Sequence, residues 1–128
     1  MPVKVLLDTN FLLLPLRFGV DIFQESERTL NDVTIFYVSS RVLEEITFLK
    51  KNAKPNFEKE LLFAENMAKR CTLINNHSCS FVDDSLISLA CKMDMVLATT
   101  DSVLRKKARS QGVKVLYLRQ RRYLILDG

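Results

Sequence analysis

The segment Val3-Lys4-Val5-Leu6-Leu7 leads straight into Asp8-Thr9-Asn10. Apart from Lys4 the run is apolar and β-favouring, the pattern of a strand covered by helices on both faces of a parallel sheet. Such a strand has few structural reasons to end on a charge, so Asp8 is the first candidate for a working residue. In open α/β sheets such residues gather beyond the carboxyl ends of the strands.

The rest of the chain keeps an alternation of strand and helix. Thr9 is placed to cap a helix through about residue 14, which Pro15 and Gly19 break before a second helical stretch over residues 21–30. Residues 34–38 read as a strand. Ser39 or Ser40 then caps a helix with Val42, Ile46 and Leu49 at helical spacing, ended by Lys50, Lys51, Asn52 and Pro55. Another helix is predicted over residues 56–70 on a stripe of Phe57, Leu61, Ala64 and Met67 or Ala68, followed by a short strand at Leu73 and Ile74 and a polar loop over residues 75–80. Asp83 and Asp84 open a helix that carries Ile87, Ala90 and Cys91 on one face. Strands over residues 95–99 and 113–118 flank a helix from Asp101 to Gln111 that Gly112 terminates, and residues 123–126 form an edge strand. No internal repeat or linker interrupts this order. The expectation is one domain over residues 1–128, an α/β fold built as a three-layer α/β/α sandwich with a mainly parallel central sheet.

At 128 residues, 48% hydrophobic and 27% charged, the chain can bury roughly two thirds of the surface its unfolded form exposes, so its core needs neither disulfides nor a structural metal. The three cysteines, Cys71, Cys79 and Cys91, are odd in number and lack C-x-x-C spacing. That speaks against a disulfide framework or a zinc ribbon and for a reducing, cytoplasmic setting. The apolar stretch over residues 11–16 is short, contains Pro15 and lies between Asp8 and Arg17, so no targeting or membrane segment is expected. The net charge of +4 gathers at one end: Arg105, Lys106, Lys107, Arg109, Lys114, Arg119, Arg121 and Arg122 face a single acid there, Asp127. A polyanionic partner suits such a segment, and so does plain solubility.

Four acids stand at strand ends or early in helices: Asp8, Glu45, Asp84 and Asp101. At about 100° per residue, Glu45 lies at the margin of the Val42, Ile46 and Leu49 stripe while Glu44 points nearly opposite. The same reckoning does not separate Asp83 from Asp84, since both lie within one turn of Ile87. Taken singly, an Asp at a helix start is ordinarily a cap and a helical Glu ordinarily faces water. Taken together, carboxylates gathered in one cleft repel and must either raise some of their pKa values or hold a hard cation. Oxygen-only donors favour Mg²⁺ or Mn²⁺ over zinc.

These residues fall in four segments that resemble the PIN domain family: Leu6-Leu7-Asp8-Thr9-Asn10-Phe11-Leu12, Val42-Leu43-Glu44-Glu45-Ile46, Asp84-Ser85-Leu86-Ile87-Ser88-Leu89-Ala90 and Leu97-Ala98-Thr99-Thr100-Asp101. The resemblance covers nearly the whole chain. It is nearest to the PIN proteins of small-subunit ribosomal RNA processing and their short archaeal relatives, also labelled VapC-type ribonucleases. Asp8-Thr9-Asn10-Phe11, Val82-Asp83-Asp84 and the tail Val115-Leu116-Tyr117-Leu118 with Arg122-Tyr123 carry that likeness, and nothing matches the accessory metal-binding insert of some ribosomal relatives.

The resemblance implies a Mg²⁺- or Mn²⁺-dependent endoribonuclease that cuts single-stranded RNA to leave a 5′-phosphate and a 3′-hydroxyl. Its catalytic acids would be Asp8, Glu45, Asp84 and Asp101, with Asp8, Asp84 and Asp101 holding metal and Glu45 positioning or deprotonating the attacking water. Thr9, Asn10, Asp83 and Thr99 would support them. It also implies a homodimer, RNA as partner, an antitoxin or ribosome-assembly protein as a further partner, and no membrane. Arg105 and Lys106, just past Asp101, are the expected RNA contacts.

Other residues read more plainly. His77 and Cys79 lack two further ligands and are taken as loop. Tyr117 and Tyr123 suit sheet packing or base stacking, and Phe57, Phe63 and Met67 suit a core or a dimer face. A phosphatase of the haloacid dehalogenase type would need a second Asp where Asn10 stands, and a receiver domain would need an early acidic pair that is missing. The competing reading from another class is a PIN fold that binds RNA or protein without cutting.

Overall fold

The structure, a computed structural model, describes residues 2–76 and 81–128. His77 and Cys79, expected in a loop without chemistry, lie outside the described residues. The first strand, β1 (Val3–Leu7), lies inside a six-stranded sheet with the order β3-β2-β1-β4-β5-β6. Its sequence puts it there: Val5, Leu6 and Leu7 are fully buried, as a strand covered on both faces requires.

Parallel neighbours flank β1, namely β2 (Thr34–Ser39) and β4 (Val96–Ala98), with Leu6 level with Tyr37 on one side and Leu97 on the other. Farther out, β3 (Thr72–Ile74) and β5 (Val115–Arg119) continue the parallel sheet. At one edge β6 (Tyr123–Asp127) runs antiparallel to β5 as a hairpin. Seven helices are seen among the described residues: α1 (Thr9–Leu12), α2 (Leu14–Phe18), α3 (Ile22–Leu30), α4 (Ser40–Lys50), α5 (Pro55–Ala68), α6 (Val82–Met93) and α7 (Ser102–Ser110). They complete the three-layer α/β/α sandwich read from the alternation of elements. The chain leaves β1 toward β2 on one side and returns through β4 on the other, so the order in which strands are added reverses between the parallel neighbours β1 and β4. Crevices at such a reversal are where α/β folds bind ligands.

Local chemistry differs from the sequence reading at the first helices. Asp8, not Thr9, caps α1: its Oδ1 accepts the Thr9 amide at 2.8 Å. Pro15 does not break a helix; it sits in the first turn of α2, where its missing N–H costs nothing, and the chain interrupts at Leu13 instead. Pro55 likewise begins α5 rather than merely ending α4. Asp21 caps α3 by accepting the Phe23 and Gln24 amides at 3.1 Å. Gly112 follows α7 at φ 83°, a left-handed position that favours glycine.

Val42 and Ile46, both fully buried, anchor α4 to the core and set the rotation of its other residues. Glu44 consequently faces water and pairs with Arg41 at 3.6 Å, while Glu45 turns toward the sheet's carboxyl end. Salt bridges from Arg17 to Glu60 at 2.7 Å and from Lys50 to Glu65 at 2.8 Å tie α2 and α4 to α5. Phe57 and Phe63 are half-buried against the core and Met67 is buried, as the core role expected for them requires. No described helix is long and apolar enough to cross a membrane.

The hairpin between β5 and β6 turns through Gln120 and Arg121, both at positive φ, 54° and 58°, with the Arg122 amide donating to the Arg119 carbonyl at 3.2 Å. Positive φ at both central residues is the backbone that a type I′ turn asks for, ordinarily met by Asn and Gly, and Arg122 adds a third loop residue before Tyr123 pairs with Arg119.

Candidate active site

β1 and β4 end side by side, and the Asp8 amide donates to the Ala98 carbonyl at 2.9 Å, prolonging the ladder by one residue. Asp8 is thereby fixed at the carboxyl edge with 6% of its surface exposed. Both of its oxygens are held: Oδ1 by the Thr9 amide at 2.8 Å and Oδ2 by the Thr99 hydroxyl at 2.9 Å. Thr99 has one proton to give, and Asp8 is nearer than Asn10 Oδ1 at 3.4 Å. Asn10 instead accepts the Thr100 amide at 3.1 Å, stitching α1 to the turn after β4. Asp101 completes the junction. Its amide donates to Thr99 Oγ1 at 3.1 Å, and its carboxylate caps α7 through the Val103 and Leu104 amides at 2.9 and 3.3 Å.

A cleft of about 280 Å³ opens over this junction, lined in part by Asp8, Glu45, Asp83 and Asp101, with Arg17 at its wall and Leu49, Phe57 and Leu61 as apolar floor. Of the expected acids the structure therefore brings together Asp8, Glu45 and Asp101. The fourth lining acid is Asp83, which spacing left level with Asp84 and which the resemblance made a supporting residue. Asp84 does not line the cleft; its carboxylate is taken by the Lys107 ammonium from α7. Of the supporting set, Thr99 and Asn10 hold Asp8 and the β4 turn, and Thr9 Oγ1 is buried with no hydrogen-bond partner among the described residues.

The acids act on one another. Burial pushes the Asp8 carboxyl from 3.8 up to about 6; the Thr99 and Thr9 hydrogen bonds hold it down, and the charges of Asp83 and Asp101 add to the rise. Glu45 is raised by burial and then by Asp8 and Asp83. Asp83 is raised by burial and Asp101, with Lys107 opposing and Asp84 adding. A larger cavity, about 580 Å³, lies at the amino ends of the strands between Lys4 and Lys114, and Asp94 is its only acid. Size alone would choose that cavity, but the mutually perturbed carboxylates choose the carboxyl-edge cleft.

Among the described residues no three His, Cys, Asp or Glu side chains stand close enough to enclose one ion. The donor set still suits a hydrated hard cation, which takes one or two carboxylates directly and the rest through water. Three observations agree with that: the facing acids are all oxygen donors, neighbouring carboxylates add to the burial-driven rise of Asp8, Glu45 and Asp83, and the hydroxyl of Thr9, the residue after Asp8, is orphaned.

The expected RNA contacts fare differently. Arg105 lies with its guanidinium 4.1 Å from the Tyr117 ring centroid and its Nε 4.0 Å from Asp127 Oδ2, so much of its charge is answered within the fold. Lys106 is exposed on α7. Tyr123 pairs with Arg119 across the hairpin. Sequence reasoning passed over Arg17, whose only signal was a lone cation shortly after the Asp8 motif.

The sequence profile of a family described as PIN like domain matches residues 5–121. Ribonuclease VapC4 of Methanocaldococcus jannaschii is 24% identical over 127 residues, covering 98% of this chain and 97% of that protein. The solved structure of the PIN domain endonuclease Utp24 superposes with a TM-score of 0.81 at 23% identity, covering 98% of this chain and 92% of the other. VapBC2 from Rickettsia felis, bound to a DNA fragment from its promoter, superposes with a TM-score of 0.56 at 15% identity over 91% of this chain and 100% of the other. The last two likenesses carry the fold, and the profile, which runs through every acid of the cleft from Asp8 to Asp101, carries the family: the chain belongs to the PIN-like domain family.

Proposed function

We propose that this protein is an endoribonuclease that hydrolyses RNA phosphodiester bonds in the carboxyl-edge cleft, with Mg²⁺ or Mn²⁺ as cofactor. The observation that carries the reading is the convergence of Asp8, Glu45, Asp83 and Asp101 on one cleft in a PIN-family chain. Asp8, Asp83 and Asp101 would hold the cation, directly or through water, and Asp84 would keep Asp83 company from the rim while Lys107 neutralises it. When bound, the ion supplies charge for the phosphodiester oxygens and acidity to a water molecule. Asp8, held through both oxygens, presents a carboxylate that cannot rotate away. Glu45, raised from its ordinary value by burial and then by Asp8 and Asp83, faces the same cleft and would be the group that takes a proton from the attacking water. Arg17 at the cleft wall and the basic C-terminal segment supply charge for the RNA backbone.

The names of the similar proteins point to two settings, an RNA-processing endonuclease and a VapC-type ribonuclease paired with an antitoxin. A homodimer, an antitoxin or a ribosome-assembly protein as partner, and a cytoplasmic location all belong to this proposal. A second reading, an RNA-binding PIN module that does not cut, is favoured by the separation of the acids, no three of which enclose an ion among the described residues. Incubating labelled single-stranded RNA with Mn²⁺, Mg²⁺ or EDTA, beside Asp8→Asn, decides between them. Metal-dependent cutting lost in the variant establishes the nuclease; RNA retained and never cut establishes the binding module.

A further inference from the structure

Past Asn10 the acidic cleft meets a second groove of about 510 Å³, and Asn10 and Arg17 are walls of both. One side of this groove is the end of α2 with Arg17 and Phe18; the other is the β5–β6 turn with Gln120 and Arg121. The turn is the unusual part. Its two central residues adopt positive φ, which glycine and asparagine take readily and long side chains rarely do. Backbone kept in a costly conformation directs attention to what its side chain reaches. Here the Arg121 guanidinium reaches over the Phe18 ring, 5.8 Å from its centroid.

Phe18 is 41% exposed, and among the described residues Arg121 has no carboxylate partner. Arg17 gives one nitrogen to Glu60 and keeps its remaining donors. An exposed aromatic face, two guanidinium groups and an open groove joined to a carboxylate cleft form the combination that holds single-stranded nucleic acid: the ring stacks on a base, and the cations meet the phosphates on either side. Phe18 and Arg121 also border the next hollow along, where Arg122 stands with two acids that are engaged within α3, Asp21 as its cap and Glu25 paired with Arg28.

We propose that this groove seats the unpaired nucleotide adjoining the cleavage position of a single-stranded RNA, with Phe18 stacked on its base and Arg17 and Arg121 on its flanking phosphates. The location of the cut rests on the nuclease reading; the binding does not.

The test is the affinity of the full chain for a short labelled single-stranded RNA, measured in EDTA across a salt series so that hydrolysis plays no part. Phe18→Leu should weaken binding about tenfold at every salt concentration, as loss of one stacked base does. Arg121→Gly, a substitution that suits the turn, should weaken binding and lower the salt slope by about 0.7, the value for one phosphate contact on a single strand. A blunt duplex of the same sequence should compete poorly, because its bases are not free to stack. Wild-type affinity and slope in both variants, or equal competition by the duplex, would overturn the proposal. If the wild-type chain binds with these dependences yet never cuts with Mn²⁺, the nuclease reading fails and the groove stands. If all three proteins bind and cut alike, the groove fails and the nuclease reading stands.

Discussion

The Thr99 hydroxyl donates to Asp8 Oδ2 at 2.9 Å while its oxygen accepts the Asp101 amide at 3.1 Å. One side chain from the end of β4 therefore sets the position of two acids on adjacent strands. Thr99→Val keeps the shape and removes the hydroxyl, leaving a buried carboxylate oxygen without its donor. The expected cost is about 1–3 kcal/mol in denaturant unfolding of the metal-free protein. The Asp8 carboxyl, already raised to about 6, should rise further, moving the acid limb of the cleavage profile to higher pH. Thr99→Ser should restore both properties, and a Val variant as stable as wild type would show that the bond contributes nothing.

Asp8 itself should destabilise the metal-free fold. Its carboxyl titrates at about 6 in the folded protein against 3.8 ordinarily, so the native state holds its proton where the unfolded chain has lost it. Stability should fall as pH rises through that interval, the penalty being absent below about pH 4 and complete above about pH 6, at roughly 3 kcal/mol. Asp8→Asn removes the charge without emptying the site: the amide oxygen can take the Thr9 N–H, the NH₂ can donate to Thr99 Oγ1, and Thr99 can turn its proton to Asn10. In EDTA the variant should melt above wild type at pH 8, and the gap should close toward pH 4. Adding Mg²⁺ or Mn²⁺ should narrow the gap from the other side by stabilising wild type. A variant that melts at or below wild type at pH 8 would count against the electrostatic account of the cleft.

How far the site could be read from sequence depended on how local each determinant is. The β1 run, the Val42 and Ile46 stripe and the strand ending before Asp101 are local patterns, and each led to the correct element; Glu45 against Glu44 followed from the same stripe. Asp101 shows that a helix cap and a cleft acid are not exclusive, since its carboxylate caps α7 and lines the cleft together. The division between Asp83 and Asp84 was not local. It depends on how α6 enters the sheet edge and on Lys107, which lies 23 residues later on α7 and takes the Asp84 carboxylate. The charge of Arg105 was visible in sequence, but the Tyr117 ring and Asp127 that engage it belong to the two strands of a hairpin packed beside α7.

Asp83 and Asp84 can be told apart by experiment. Asp83 lines the cleft and shares its electrostatics with Asp8, Glu45 and Asp101, whereas Asp84 pairs with Lys107 at the rim. Asp83→Asn should lower kcat for RNA cleavage by two orders of magnitude or so, the scale of losing a group aimed at developing charge, and raise the Mn²⁺ concentration needed for half-maximal rate. Asp84→Asn should reduce the rate less and should resemble Lys107→Met, since both dismantle the same exposed pair. The opposite ranking in a metal titration of the two variants would return Asp84 to the centre of the site.

The turn at Gln120 and Arg121 predicts an exchange of stability for binding. Left-handed backbone costs a residue with a side chain about 1–2 kcal/mol relative to the right-handed form, and a type I′ turn asks for it twice. Gln120→Asn with Arg121→Gly installs the preferred pair, offset in part by the greater freedom of glycine in the unfolded chain. The double variant should gain about 1 kcal/mol and melt a few degrees higher. The same change removes the guanidinium over Phe18, so RNA affinity should fall as stability rises, the pattern of a strained functional position. Thermal unfolding and RNA titration on one preparation check both halves. A variant that melts higher with undiminished affinity would show that the strain serves no ligand, and one that melts lower would show that Gln120 and Arg121 are held by packing that the φ values alone do not reveal.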